Sequence, residues 1–369
     1  MKQGNRERFL VSPFFVFFTI HGAQLGVGVL SFQRRLNEIV GHDGWISIII
    51  AGLAVHVLIW MVYKIFQASG EGKDIVRVNI ECFGKWIGNL LNAGLLVYFL
   101  SFALVVLRTY IEIIQVWVFP LMGTWQFSLI FLLLTYYTVS GGFRIVVGLC
   151  VWGFIVPLLT IFPMLFFSLE YAHYRNFLPV FDHSIVDILK GAKGVTFEYL
   201  GFEMILMYYS FVKNAPQSQR WAQWGTAFTT LLYLIVIFIS TVFYNEEQIK
   251  HVIWPTLTLA KIPEIPFIER VEYIIISTYV FVIFPIICLA VWAVTGGLKQ
   301  MTSLKQRKSL PIILAILFAA SLFFNKREEI ALLDQIVSTT GFYVLIIYIP
   351  SLYVFVSVKK RFQSKASMQ

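Results

Sequence analysis

The sequence predicts an all-α integral membrane protein, and three observations lead to that prediction. Hydrophobic residues make up 58% of the 369 residues and charged residues only 13%, whereas a soluble domain carries about 25% charged residues. The mean hydropathy is +0.77. The apolar residues fall into ten runs, each comparable with the roughly 20 residues of helix that cross the hydrocarbon core of a bilayer. We therefore expect ten transmembrane helices in a single membrane domain, residues 1–369.

The ten apolar runs divide into two halves of similar length, residues 9–169 and 195–358. Each half opens on a helix that glycine interrupts. Such a pair of broken apolar segments in matching positions is typical of an inverted-repeat transporter and marks its binding site. We therefore expect a 5+5 inverted repeat. The predicted spans are 12–31, 45–66, 87–118, 124–141, 146–169, 196–211, 226–244, 272–295, 310–325 and 338–358.

The first span contains the sequence HGAQLGVG, in which Gly22, Gly26 and Gly28 lie within seven residues. Glycine inside a helix costs up to about 1 kcal/mol relative to alanine. Non-helical backbone at membrane depth is tolerated only where protein or a water-filled cavity surrounds it. The alternative is that these glycines simply allow close helix packing. A second interruption at Gly201, in the sequence EYLGFE of the sixth span, favours a solute site.

Charge and chemistry exclude several function classes. The net charge is +9, but the basic residues lie in short connectors, so no nucleic-acid partner is expected. More Lys and Arg fall on the side that also holds both termini, and we therefore expect cytoplasmic termini. Cys82, Cys150 and Cys288 form no CxxC pair, and the histidines show no metal-ligand spacing. With no nucleophile constellation and no phosphate-binding loop in the sequence, we expect no metal, no cofactor and no enzymatic activity.

Three local patterns give further expectations. In the third span, Arg108 and Glu112 are four residues apart, which favours an ion pair on one helix face. Residues 176–194 predict a short amphipathic helix at the outer surface. Residues 248–267 are apolar but contain three prolines, which predicts a helical hairpin that dips into an outer vestibule.

Seven stretches, in order over nearly the whole chain, resemble the spore germination protein family. That family comprises the multi-spanning B subunits of endospore nutrient-germinant receptors and is grouped with the amino acid–polyamine–organocation (APC) superfamily. The matching stretches are QLGVGVLSFQRR, DGWISIIIAGLAVHVLIWMVYKI, LRTYIEIIQVWVFP, VSGGFRIVVG, YAHYRNFLPVFDHS, YLGFEMILMYYSFVKN and EEQIKHVIWPTLTLAKIPEIPFIER.

The resemblance implies a fold, a location and partners. The fold would be the 5+5 inverted repeat, with spans one and six unwound at a midplane site. The protein would lie in the inner membrane of the dormant spore. Its partners would be an A subunit, which carries a soluble region and membrane helices, and a lipoprotein C subunit. The B subunit would bind a nutrient such as an amino acid.

The resemblance also implies a nutrient site built from the backbone of spans one and six. Free N–H groups at half-helix N-termini would suit the carboxylate of an amino acid. Hydroxyls from spans three and eight are expected to line the pocket, although Tyr98 could equally be packing, and Ser277 or Thr278 could bond their own helix. The expected ligand-binding residues are Ala23, Gln24, Gly26, Gly28, Tyr98, Leu200, Gly201, Phe202, Glu203, Ser277 and Thr278.

Glu203 carries the main open question at this stage. A carboxylate inside the membrane is costly and is a functional candidate by default. It could pair with the ammonium of a nutrient, carry a proton, or bond a neighbouring hydroxyl such as that of Tyr208. Glu198, nearer the outer end, is expected to be merely solvated, and His21 is expected to be hydrogen-bonded packing. A proton-coupled amino acid transporter is the alternative function.

Overall fold

The computed structural model describes residues 10–70, 72–263, 270–302 and 304–366, and it is helical. Within these ranges there is no strand, and one isolated β-bridge joins Val11 to Val212. The α-helices are α1 (Phe15–Gln24), α2 (Phe32–Val40), α3 (Gly44–Ser69), α4 (Ile75–Trp117), α5 (Thr124–Ser140), α6 (Phe143–Phe167), α7 (Ile185–Thr196), α8 (Ile205–Tyr208), α9 (Gln219–Phe243), α10 (Glu246–His251), α11 (Pro255–Ala260), α12 (Val271–Thr278), α13 (Val280–Thr302), α14 (Gln306–Phe323), α15 (Arg327–Tyr343) and α16 (Ile349–Ala366).

Seven helical stretches of the described residues are long and apolar enough to cross a membrane, judged by length and composition. They are Phe32–Ser69, Ile75–Trp117, Phe143–Tyr171, Ala215–Phe243, Val271–Thr302, Gln306–Phe323 and Arg327–Arg361.

The remaining predicted spans, the first, fourth and sixth, correspond to shorter helices. Helix α1 has 10 residues and α5 has 17. The sixth predicted span is divided into α8 and short 3-10 turns. Backbone breaks shorten the first and the sixth, because a helix cannot continue through a residue with non-helical dihedral angles. The ten-span count stays a prediction.

Helix α4 is longer than its predicted span and bends near its start. Its N-cap is Asp74, whose side chain accepts the Arg77 backbone N–H at 3.0 Å. Gly84, with φ 77° and ψ 171°, interrupts the helix, which then continues to Trp117. Beyond the bend the two parts are close together: a Cβ added at Gly88 would lie 2.7 Å from the Asn79 carbonyl oxygen. Residues 75–83 therefore form a separate N-terminal segment of α4.

The connector predictions agree with the structure where it describes them. Helix α7 lies in the predicted amphipathic segment, and it packs against α2 and α3. The side chain of Ser184 caps α7 by accepting the Asp187 backbone N–H at 3.2 Å. The second connector forms the two short helices α10 and α11, and the rest of the predicted hairpin, from residue 264, lies outside the described residues.

The predicted ion pair between Arg108 and Glu112 is wrong. Arg108 Nε instead donates to the Phe324 carbonyl oxygen at 2.7 Å, just beyond the end of α14. Glu112 pairs with Arg327 Nη1 at 2.6 Å, at the start of α15. Neighbouring helices therefore supply better partners than the i,i+4 position, because a carbonyl at a helix end and a second guanidinium lie within direct reach.

Candidate functional site

Two backbone breaks lie in direct contact inside the helical bundle. The first break is Leu25 and Gly26, which follow the end of α1 with φ/ψ of −90°/65° and −86°/−158°. The second break is Leu200 and Gly201, with φ/ψ of −62°/156° and 106°/−27°. The left-handed φ at Gly201 is a conformation that glycine adopts readily. A Cβ added there would lie 2.7 Å from the Ala23 carbonyl oxygen, so the two segments pack backbone against backbone.

A cavity of about 520 Å³ opens beside the first break. This volume lies within the roughly 300–1,000 Å³ that is typical of small-molecule sites. Residues from the broken segments, α2, α4 and α15 line it, together with Ile253 and Trp254 from the connector between α10 and α11. Five of the residues expected from the sequence are among the lining: Ala23, Gln24, Gly26, Gly28 and Leu200.

A charged link crosses this cavity. Glu198, just before the second break, accepts a hydrogen bond from Arg35 Nη2 at 2.5 Å, and Arg35 Nη1 donates to Asp334 Oδ2 at 3.4 Å. The carboxylate rests on the backbone at Gly28, where an added Cβ would overlap Glu198 Oε2. The side chain of Glu198 is only 5% exposed, so the expectation that it is merely solvated is wrong. The link joins α2, the second broken segment and α15.

The charges that line the cavity are nearly balanced, with a slight acidic excess. Three arginines and four carboxylates belong to the lining. Each arginine has a carboxylate partner: besides the Arg35 link, Arg34 pairs with Glu38 at 3.3 Å and Arg327 with Glu112 at 2.6 Å. A bound anion would therefore compete with a carboxylate for any of these guanidinium groups, whereas a bound cation meets the excess of negative charge.

Gln24 belongs to the lining of this cavity, and its buried side chain has an unused acceptor. Its Nε2 donates to Thr226 Oγ1 at 3.2 Å, and its backbone carbonyl accepts the Tyr233 hydroxyl at 3.0 Å. Its Oε1 is buried and has no hydrogen-bond partner among the described residues. A buried acceptor without a donor costs about 1–3 kcal/mol. A donor group on a bound solute would remove that cost.

Of the three roles considered for Glu203, the structure shows a hydrogen bond with a hydroxyl, which is that of Tyr98 and not of Tyr208. Glu203 is fully buried and is absent from the cavity lining. Its Oε2 accepts the Gly201 backbone N–H at 2.8 Å, and its Oε1 accepts the Tyr98 hydroxyl at 2.6 Å. Both oxygens therefore act within the second break, and these two hydrogen bonds offset part of the cost of burying a carboxylate.

The other expected residues lie away from the cavity. Phe202 is completely buried behind the second break. Ser277 is exposed on the outside of α12, and the Thr278 hydroxyl donates to the Ile275 carbonyl of its own helix at 3.0 Å. His21 Nδ1 is hydrogen-bonded to Thr229 Oγ1 at 2.8 Å, which agrees with the packing role expected for it. In the described ranges, no group of three or more His, Cys, Asp or Glu could hold a metal ion.

The sequence did not predict that Arg35 and Asp334 belong to the site, where Arg35 links Glu198 to Asp334. They lie 163 and 136 positions from Glu198, and no local pattern connects them. The available signal was charge placement: Arg35 follows the first glycine cluster by about two helical turns, and Asp334 lies four residues before the last apolar run. Only the tertiary packing of α2 against the second broken segment and α15 shows that they meet.

The described residues are helical, with seven membrane-compatible helical stretches and a solute-sized cavity, and this architecture is that of a multi-pass membrane protein. A family model described as "Spore germination protein" matches residues 10–330. The chain belongs to that family, which confirms the resemblance seen in the sequence.

Similar proteins agree with this assignment. Spore germination protein GerQB of Bacillus cereus is 41% identical over 349 residues, which cover 95% of this chain and 96% of the relative. Spore germination protein B2 of Bacillus subtilis is 25% identical over 308 residues, 83% of each chain. An aspartate-proton symporter of Bacillus subtilis is 25% identical over 274 residues, 70% of this chain and 50% of the symporter.

Proposed function

We propose that this chain is the nutrient-sensing membrane subunit of a spore germinant receptor. In this proposal it binds a small nutrient, first of all an amino acid, in the cavity beside the first break. The observation that carries the proposal is the unused Gln24 Oε1 acceptor in a solute-sized cavity that opens on non-helical backbone. Membership of the spore germination protein family supplies the biological context.

The chemistry of the lining suits a ligand with an amino group and an apolar part. The Glu198 carboxylate can accept hydrogen bonds from an ammonium, and Gln24, whose buried Oε1 has no donor, also belongs to the cavity lining. Phe102, Val105 and Leu200 provide an apolar wall for an aliphatic side chain. Because every lining arginine already faces a carboxylate, recognition through the amino group is favoured over recognition of a free anion.

Sensing requires only that the nutrient binds one arrangement of the chain more tightly than another. The Arg35–Glu198–Asp334 link joins three elements around the cavity, so a bound ammonium that pairs with Glu198 would weaken one of its arms. The resulting shift in helix positions would be felt by A and C subunits. The proposal includes the 5+5 repeat of ten spans, cytoplasmic termini and a location in the inner spore membrane.

Ligand-dependent thermal stability of the purified full-length chain tests this proposal. We expect one amino acid, out of a panel that also contains sugars and nucleosides, to raise the unfolding temperature. At 100 times its Kd, a ligand stabilises by about 2.7 kcal/mol. Gly26→Leu should abolish the shift because Gly26 lines the cavity and the larger side chain would occupy space that the ligand needs.

A matched control uses the same substitution away from the site. Gly94→Leu lies on α4 with no neighbouring atom within 4 Å of an added Cβ, and it should keep the shift. A full ligand shift in the Gly26→Leu variant would contradict the proposed site. No stabilisation by any small nutrient would contradict the sensing function.

A proton-coupled amino acid transporter is the second candidate, and the similarity to an aspartate-proton symporter favours it. Glu203, buried beside the second break, would be the residue that carries the proton. Uptake of a labelled amino acid into proteoliposomes that contain this chain alone separates the two functions. Concentrative uptake that needs a proton gradient, and that Glu203→Gln abolishes, would establish the carrier and defeat a pure sensor.

A further inference from the structure

A second, smaller cavity of about 90 Å³ lies where the end of α3, the N-terminal segment of α4 and α16 meet. It shares no residue with the nutrient cavity. Its charged lining consists of Lys73, Glu81, Lys359 and Lys360. The proposed function gives no role to these residues, so a role for this second cavity has to be sought separately.

The positive charges in this cavity exceed the negative ones. Lys73 Nζ pairs with Glu81 Oε2 at 2.6 Å, and Lys359 Nζ donates to the Glu81 backbone carbonyl at 2.7 Å. Three lysines thus share the cavity with one carboxylate, and the lysines come from two parts of the chain far apart in sequence. An anion of the size of a phosphate group would add the charge that is missing.

The cavity borders an exposed apolar surface, which we call the apolar strip: Phe83, Trp86, Leu90 and Phe355. The rings of Phe83 and Phe355 pack with their centroids 5.0 Å apart, which joins α4 to α16 just beside the lysines. Trp86 is 91% exposed and Leu90 is 73% exposed. Tryptophan is enriched where a membrane protein meets the bilayer interface. An anion with attached hydrocarbon chains would contact both the lysines and the apolar strip.

We propose that this cavity binds the phosphate of an anionic phospholipid, whose acyl chains lie along the apolar strip. Basic pockets between transmembrane helices are a known form of headgroup site. A lipid bound there would hold the N-terminal segment of α4 against α16. That contact adds to the partly buried hydrogen bond, 2.9 Å long, from the Tyr348 hydroxyl, one residue before α16, to Asn79 Oδ1 in the N-terminal segment of α4.

Native mass spectrometry of the full-length chain, with added phosphatidylglycerol or phosphatidylcholine, tests the site. We expect phosphatidylglycerol to be retained and phosphatidylcholine to be lost. Each lysine near a membrane surface contributes enough attraction for a fivefold change, so the Lys359→Ala/Lys360→Ala variant should bind phosphatidylglycerol about 30-fold more weakly. Lys305→Ala/Lys308→Ala removes the same charge from exposed positions at the start of α14 and should bind as the unmodified chain does.

Two further arms keep the test decisive. If the double variant does not fold, Lys360→Ala alone should still weaken binding about fivefold, and Lys359→Arg/Lys360→Arg should restore it. Equal retention of both lipids, or an equal loss in the Lys305→Ala/Lys308→Ala control, would overturn the proposal. Displacement of the lipid by excess inorganic phosphate would also overturn it, because the site would then take a free anion.

Discussion

The two backbone breaks look alike in sequence but differ in what surrounds them. At the first break, Gly26 faces a cavity, and the nearest atom to an added Cβ is Ile286 Cδ1 at 3.9 Å. At the second break, Gly201 touches the Ala23 backbone, and its N–H is held by Glu203. Gly26 at the first break therefore lies at the cavity, whereas Gly201 at the second break is closed off by the Glu203 carboxylate and only its neighbour Leu200 reaches the lining. Glycine in a broken helix therefore indicates non-helical backbone, but only the neighbours decide whether that backbone forms a binding site.

The largest expected effect comes from removing the carboxylate that closes the second break. Glu203→Leu leaves the Tyr98 hydroxyl and the Gly201 N–H buried without an acceptor, which should cost about 2–5 kcal/mol. Glu203→Gln should cost less than about 1.5 kcal/mol, because its amide can accept from Gly201 and donate to the Tyr98 oxygen. Thermal unfolding in detergent measures both. If leucine is tolerated as well as glutamine, the second break is not held closed by Glu203.

Replacing the glycine at each break with alanine should lower the free energy of unfolding by unequal amounts. Gly201→Ala forces an L-residue into the left-handed region and against the Ala23 carbonyl oxygen, which should cost about 2–4 kcal/mol. Gly26→Ala has a negative φ and open space, and it should change stability by less than about 1 kcal/mol. The comparison uses the same thermal unfolding assay. Equal losses at the two positions would contradict the distinction between an open and a closed break.

Two tyrosine hydroxyls, one at each break, provide a finer comparison. Tyr98 donates to the buried Glu203 carboxylate, so Tyr98→Phe should cost about 1.5–3 kcal/mol. Tyr279 donates to the Gly26 carbonyl oxygen at 2.6 Å. Because Gly26 lines the cavity, water can replace that hydroxyl, and Tyr279→Phe should cost less than about 1 kcal/mol. A larger loss of stability for Tyr279→Phe than for Tyr98→Phe would show that the first break is closed as well.

Gly28→Ala should have the smallest effect on stability but a clear effect on the nutrient response. The added methyl would displace the Glu198 carboxylate, which ends a flexible side chain, and so separate it from Arg35. We expect a stability change below about 1 kcal/mol, since the Arg35 side chain is 47% exposed and the displaced carboxylate stays at the cavity. The nutrient-induced rise in unfolding temperature should shrink. An unaltered nutrient shift would mean that Glu198 takes no part in binding.

Local features of the fold could be predicted from the sequence, whereas long-range partners could not. The interruption at Gly201 was predictable because glycine adopts a left-handed φ more readily than other residues do. The helix in residues 176–194 was predictable from its amphipathic pattern. The sequence did not predict that α4 begins at Ile75. Residues 75–86 are polar enough to resemble a connector, but they are helical up to the turn at Gly84, and the helix continues after that turn.

The same limit applies to the site. Five of the eleven expected residues line the cavity, and they are the ones whose position depends on the breaks themselves. The roles of Glu198 and Glu203 depend on partners 163 and 105 residues away, Arg35 and Tyr98. No spacing rule connects such residues. A carboxylate inside an apolar segment therefore marks a position that needs a partner without showing which partner it has.

The most direct test of the central claim is the rate at which a charged maleimide modifies a cysteine placed at each break. Gly26→Cys and Phe202→Cys would be compared in a chain whose Cys82, Cys150 and Cys288 are replaced by alanine. We predict fast modification at position 26, slowed by the bound nutrient, and very slow modification at position 202, where the native side chain is completely buried. Equal rates at the two positions would contradict the account of one open and one closed break.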